Sequence, residues 1–270
     1  MATSVWQDTN ELDWFFVRGR RMWPDLEHLT EVKLDRSRVS DRIVTFIKST
    51  ALNEHGIVHY VRRYLKSYGE DYKLGLWGCI WGGEEYLHSV VLRLILKNLG
   101  ERISEKEFTG LETANYADGY GRYLTEKAVG SAMSPRLETL IYGVLQEYVA
   151  YKVYSAVSRA CEEPTVKALL LRVARDEARH CRFFQLSLQA LAPKLDASEY
   201  ALIWPQFDAF FKDLRMPQDF IEIFAEEQIG TDLYTEFWDK KDRTEIAIYL
   251  GRFFKQFWEP RQTMTSRAEA

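Results

Sequence analysis

Residues 84–88 read Glu84-Glu85-Tyr86-Leu87-His88, and residues 176–180 read Asp176-Glu177-Ala178-Arg179-His180. Each contains Glu-x-x-His, and the two copies stand 92 residues apart, counted from Glu85 to Glu177. Residues three apart share a helix face, so in a helix each phrase points one carboxylate and one imidazole the same way. A single such pair is ordinary on a solvated helix. These two, however, each interrupt an apolar seam. Steps of three and four give Leu74, Trp77, Trp81, Glu85, His88, Leu92, Ile95 and Leu99 through the first phrase, and Leu170, Val173, Glu177, His180, Phe184, Leu188 and Leu191 through the second. An ionised carboxylate in a helix-bundle core costs several kcal/mol unless it is paired or holds a metal, so this placement calls for a cation.

Working outward, the flanking sequence supplies two more helices of the same kind. Ser40-Asp41 is a helix N-cap, and the segment to about Tyr68 carries the stripe Ile47, Ala51, Glu54, Ile57, Val58, Val61 and Leu65. Gly69-Glu70-Asp71 closes it, and the next helix runs from about Asp71 to Leu99 and stops at Gly100. Ser104-Glu105-Lys106-Glu107 is a capping box for a shorter helix, followed by a glycine-rich loop from Ala117 to Gly121. Ser134-Pro135 launches a helix to about Glu162 with the stripe Leu140, Gly143, Val144, Glu147, Ala150, Tyr151 and Tyr154. Pro164 starts the helix that carries Glu177 and His180, which ends before Pro193. Past Lys194, recurring aromatics (Phe207, Phe210, Phe211, Phe220, Phe224, Tyr234, Phe237, Trp238, Phe253, Phe254, Phe257 and Trp258) predict further packed helices. No strand-like alternation of useful length appears, and residues 262–270 read as a frayed tail.

Four long helices therefore present Glu54; Glu85 with His88; Glu147; and Glu177 with His180. One Glu from each of two helices and a Glu-x-x-His from each of the other two is the pattern of ferritin-like di-iron and di-manganese carboxylate proteins. The expected fold is all-α, a ferritin-like four-helix bundle with additional helices, built as one domain over residues 1–270: an arm at 1–39, the metal-bearing core at 40–192, and a C-terminal helical region at 193–270. Four carboxylates and two imidazoles suit two divalent iron ions, or manganese, and match neither a thiolate zinc site nor an all-oxygen calcium cage. His55 and His59 project about 100° and 140° around the helix from Glu54 and are not expected as ligands. His28 precedes the bundle and reads as surface or packing.

Composition narrows the function classes. Against 36 Lys and Arg stand 40 Asp and Glu, for a net charge of -4, which disfavours a generic nucleic-acid binder; an acidic partner needs a local basic patch. Cys79, Cys161 and Cys181 are odd in number and lack metal or redox spacing, as expected of reduced thiols in the cytoplasm. The first 14 residues resemble neither a signal nor a transit peptide, and no apolar run is long enough to span a membrane.

The residues around the ligands add a family resemblance. Trp81-Gly82-Gly83-Glu84-Glu85-Tyr86-Leu87-His88, Gln146-Glu147 and Asp176-Glu177-Ala178-Arg179-His180 resemble the W-x-x-E-E-x-x-H, Q-E and D-E-x-R-H segments of the soluble acyl-carrier-protein desaturases. Asn53-Glu54 with Tyr60 resembles that family's first ligand helix, and Met216-Pro217 extends the similarity, which covers roughly residues 40 to 220. The resemblance implies Glu85 and Glu177 as carboxylates bridging two irons, Glu54 and Glu147 as terminal carboxylates, and His88 and His180 each capping one iron. It places Trp81 and Asp176 around the ligands on the route of electron delivery. It further implies an acyl carrier protein bearing the substrate, a ferredoxin-type electron donor, and a homodimer. Arg18, Arg20, Arg21, Arg62, Arg63 and Lys66 are the candidate carrier-docking cations.

This sequence also departs from the plant enzymes of that family. The Glu54-to-Glu85 connection and the N-terminal arm are shorter, and Ala150 stands where those enzymes often carry Thr, three residues after the third-helix Glu. The leading expectation is an O2-dependent desaturase of a carrier-bound fatty acyl chain. Other readings are a hydroxylase on the same bundle, an iron-storage protein, and a radical-generating protein using Tyr148, Tyr151 or Tyr154.

Overall fold

Ser40 opens the bundle: its Oγ accepts from the backbone N–H of Ile43, and helix α1 follows over Asp41–His55. The computed structural model describes residues 29–104, 134–212, 237 and 240–257. After α1 come α2 (Ile57–Tyr68), α3 (Tyr72–Asn98), α4 (Pro135–Ala160), α5 (Pro164–Leu191), α6 (Ala197–Lys212) and α7 (Lys240–Lys255). The described residues hold no strand. The protein is thus all-α, as its periodicity requires.

Local chemistry explains the boundaries. Asp71 caps α3 by accepting from the N–H groups of Lys73 and Leu74, and Gly100 lies past its end at φ 80°, a left-handed position that glycine occupies without strain. Pro135 and Pro164 occupy first turns, where a missing N–H costs nothing. Ser134 makes no side-chain cap, whereas Glu163 caps α5 by accepting from Val166 N–H at 2.6 Å.

One expectation needs correction. The single helix expected from Ser40 to Tyr68 is two, broken at Gly56, whose N–H is shared between the Leu52 and Asn53 carbonyls. Glycine is a poor helix former, and the redirected α2 gains close packing on α3. A Cβ on Gly82 would overlap Val61 Cγ2, and one on Gly78 would lie 2.5 Å from Tyr64 Cδ1. The break also removes Val58 from the seam, leaving it 54% exposed. The shorter helix and glycine-rich loop expected between residues 104 and 121 lie outside the described residues.

The apolar core divides into two clusters, and the polar seam residues lie between them. One cluster holds Leu74, Trp77, Trp81, Leu140, Val144, Phe184 and Leu188; the other holds Ile47, Ala51, Leu92, Ile95, Tyr154, Val157, Leu170 and Val173. Along α3 and α4 the chain passes from the first cluster to the second and along α5 the reverse, while α1 runs through the second cluster to Glu54, with Ile57 of α2 beyond it in the first. Helices α3 and α4 therefore run parallel, with α1 and α5 antiparallel to them. The end of α3 and the start of α4 lie at opposite ends of the bundle, the arrangement that a ferritin-like fold bridges with one long crossover. Ile246, Leu250 and Phe254 of α7 join the first cluster, with Phe254 stacked on Phe207 of α6 at 4.6 Å between ring centres. Lys152–Glu245 at 2.7 Å and Arg159–Asp242 at 2.9 Å fasten α7 to α4.

Candidate metal centre

Glu54 sits on the last turn of α1, Glu85 and His88 on α3, Glu147 on α4, and Glu177 and His180 on α5. All six are buried. Ligand-capable atoms of Glu54, Glu85, His88 and Glu177 lie within 4.8 Å of one another, and so do those of Glu85, Glu147, Glu177 and His180. Glu85 and Glu177 belong to both groups. Each group adds one private carboxylate and one private imidazole.

Both imidazoles present Nδ1 to this cluster. His88 Nδ1 lies 3.2 Å from Glu85 Oε2 and 3.2 Å from Glu177 Oε1; His180 Nδ1 lies 2.7 Å from Glu85 Oε1, 3.4 Å from Glu177 Oε2 and 3.5 Å from Glu147 Oε2. The far nitrogens meet carboxylates outside the cluster. His88 Nε2 is 3.3 Å from Asp176 Oδ2, and His180 Nε2 is 2.8 Å from Glu84 Oε2. The acid preceding each shared glutamate thus reaches across to the other helix's histidine, which fixes ring orientation and tautomer. Arg179 Nη2 joins the two outer acids, at 2.6 Å from Glu84 and 3.0 Å from Asp176.

The donor atoms suit a cation. Glu85 Oε1, Glu177 Oε1 and His180 Nδ1 are buried and lack a hydrogen bond of acceptable geometry, close as they stand to one another. Electron-pair donors crowded in this way are costly when dry and favourable around positive charge. Among the described residues, carboxylates and imidazoles make up the cluster, a set that fits hard or borderline divalent ions.

Electrostatics reflects the same crowding. Burial, then the charges of Glu85 and Glu177, pushes the carboxyls of Glu54 and Glu147 well above the ordinary range. Burial would also raise Glu85, but His180 and His88 hold it well below that range. Burial opposes protonation of both histidines, yet Asp176, Glu177 and Glu85 around His88, and Glu85, Glu147, Glu177 and Glu84 around His180, push them well above it. Raised groups bind protons more tightly folded than unfolded. Their contribution is full below the unfolded values of 4.5 for Glu and 6.5 for His and is lost as pH climbs through the folded ones. Glu85 contributes in the opposite sense, losing its share as pH falls through its depressed value. Metal-stripped protein is therefore expected to melt at a lower temperature at about pH 8 than at about pH 6. Metal-loaded protein should lack this fall, because the ion replaces the protons. Paired thermal melts with and without chelator check this; equal slopes in the two forms would contradict it.

The remaining candidates fall variously. Asp176 is fully buried and contacts His88 and Arg179. Trp81 packs against Tyr64 and Phe184 at 6.0 and 5.5 Å, while Trp77 is the tryptophan that meets a candidate ligand ring, 5.9 Å from His180. Ala150 is half-buried on the Glu147 face of α4. His55 and His59 belong to neither group, and His55 lies 5.7 Å from the Tyr86 ring. Arg63 pairs with Glu138 at 2.7 Å, and Arg62 and Lys66 are exposed. His28, Arg18, Arg20 and Arg21 lie outside the described residues. Sequence reasoning missed Glu84 and Arg179. The signal available was the acid placed before both Glu-x-x-His phrases.

Comparison with known proteins adds to this geometry. A family model for fatty acid desaturases matches residues 3–257. The chain belongs to the fatty acid desaturase family. It is a family of oxidoreductases. The chain is similar to a protein of Mycobacterium tuberculosis that carries the provisional name acyl-[acyl-carrier-protein] desaturase DesA1. In strains CDC 1551 and H37Rv alike the match is 25% identical over 158 residues, 56% of this chain and 44% of the relative. The aligned part thus spans less than half the length of these curated relatives. No described helix of this desaturase-family chain is long and apolar enough to cross a membrane.

Proposed function

We propose that the protein is a di-iron, O2-dependent desaturase that introduces a double bond into a fatty acyl chain carried by an acyl carrier protein, in the cytoplasm. The observation that carries this reading is the membership of Glu85 and Glu177 in both four-residue groups. Two ions that share two carboxylates form one dinuclear centre rather than two separate sites. Glu85 and Glu177 would bridge, Glu54 and Glu147 would be terminal, and His88 and His180 would bind through Nδ1. Bound there, two irons supply activation of O2 and removal of one hydrogen from each of two adjacent methylenes. The reaction balances as –CH2–CH2– plus O2, two electrons and two protons giving –CH=CH– and two waters. A ferredoxin-type donor provides the electrons.

The chain's own residues orient and dry the site. Asp176 and Glu84 each hold an Nε2 proton, which leaves the Nδ1 lone pairs directed inward. Trp81 and Phe184 on one side and Ala51 and Leu92 on the other keep water from the carboxylate layer. Of the candidate docking cations named from the sequence, Arg62 and Lys66 are exposed and Arg63 is half-buried, all within reach of an acidic carrier protein.

The test is to incubate iron-loaded, reduced protein with acyl-carrier-protein substrate, an electron donor and O2, and to weigh the acyl chain. Loss of two hydrogens is expected. Gain of one oxygen would instead assign a hydroxylase, and an unchanged chain with bulk iron uptake would assign storage.

A further inference from the structure

The cluster is symmetric at its histidines and asymmetric at its private carboxylates. Each histidine has an outer acid on Nε2, as described above. Glu54, by contrast, accepts a hydrogen bond at Oε1 from the Tyr154 hydroxyl at 2.8 Å, whereas no hydroxyl or amide reaches Glu147 among the described residues. Both features come from α4. Glu147, Ala150 and Tyr154 lie three and four residues apart on one face. The methyl group beside Glu147 can donate nothing, and the phenol one turn further crosses to α1. Tyr154 is buried, with its ring edge-on to Phe46 at 5.4 Å between centres.

We infer that Tyr154 is a positioning residue that makes the two metal positions inequivalent. By donating to Glu54 it fixes that carboxylate's orientation, although Glu54 stands only two residues before the helix break at Gly56, where α1 gives least support. One Glu54 oxygen is shared with the phenol, so the ion held by Glu54 and His88 meets a pre-oriented carboxylate. The ion held by Glu147 and His180 meets an unrestrained one. The inference rests on the dinuclear reading above and extends it, because the family pattern of ligands says nothing about which ion is held more rigidly.

The test reads the metals one at a time. Protein loaded anaerobically with two Fe2+ is mixed with ferrozine, and release is followed by absorbance. The wild type is expected to release iron in two phases. Tyr154→Phe keeps the ring and its packing but loses the hydroxyl; it should accelerate one phase by roughly 10-fold to 100-fold, the usual effect of losing a group that orients a ligand, and leave the other unchanged. The Mössbauer spectrum of the diferrous variant should shift one quadrupole doublet and not both. Phe46→Leu disturbs the packing of Tyr154 but keeps its hydroxyl, and should move neither phase by more than about twofold. Both phases unmoved in Tyr154→Phe, or both moved alike, overturns the inference while leaving the dinuclear centre standing. So does a Phe46→Leu variant that reproduces the Tyr154→Phe pattern, since packing would then suffice. Wild-type protein that retains no iron pair overturns the di-iron reading itself.

Discussion

Glu85→Ala or Glu177→Ala is expected to empty both metal positions at once, whereas Glu54→Ala or Glu147→Ala should empty one. The difference follows from membership: Glu85 and Glu177 stand in both ligand groups, while Glu54 and Glu147 stand in one each. Loss of a group that merely orients a ligand costs roughly 10-fold to 100-fold in affinity, and a missing ligand costs more, for both ions when it bridges. The fold should survive. Asp71 still caps α3, the two apolar clusters are untouched, and the charge of Glu85 that helps to keep Glu54 and Glu147 protonated is gone. Metal-free Glu85→Ala should therefore keep its helical circular dichroism. Elemental analysis showing two irons per chain in either bridging variant would refute this assignment, as would loss of helix content without metal.

Much of this centre was legible because it is written in helical steps. Glu85 and His88, like Glu177 and His180, are three residues apart, so local geometry alone puts each pair on one face, and the seam around them shows that the face is inward. Capping chemistry likewise marked α1 at Ser40. The misses arose where the deciding contact was remote or ambiguous. Gly56 sits within an apolar stripe that continues in helical register on both sides, and only the packing of α2 on Gly78 and Gly82 of α3 reveals that the chain turns there. The pairing of Arg63 with Glu138 was not legible because the two lie 75 residues apart, from 63 to 138. Tyr154 looked like one of several tyrosines near Glu147, whereas its hydroxyl meets Glu54, 100 residues distant. Glu84 and Arg179 stood within the quoted motifs without a role, since no intrahelical rule pairs positions on different helices.

That last pair carries the second large effect. Arg179→Met is expected to lower stability by about 3 kcal/mol and to weaken metal binding by roughly 10-fold to 100-fold. Arg179 is only 8% exposed, and its Nη2 alone reaches both Glu84 and Asp176. Methionine fills a similar volume but leaves two acids in a buried layer without their shared cation, and removing one partner of a buried charge group costs far more than an exposed pair is worth. The carboxyls of Glu84 and Asp176 are held below their usual range against burial by His180 and His88 together with Arg179, so the loss shifts more of that burden onto the two imidazoles. The histidines would then hold their protons more tightly, which competes with metal. For a chain of this size the stability change corresponds to a melting temperature lower by roughly 6–12 °C. Arg179→Lys provides the control. Because one nitrogen makes both contacts, an ammonium can replace it in charge and nearly in position, so Arg179→Lys should recover more than half of both losses. If Arg179→Met melts with the wild type and binds iron equally well, the two outer acids do not depend on this cation; if Arg179→Lys fares no better than Arg179→Met, planar guanidinium geometry rather than charge holds them.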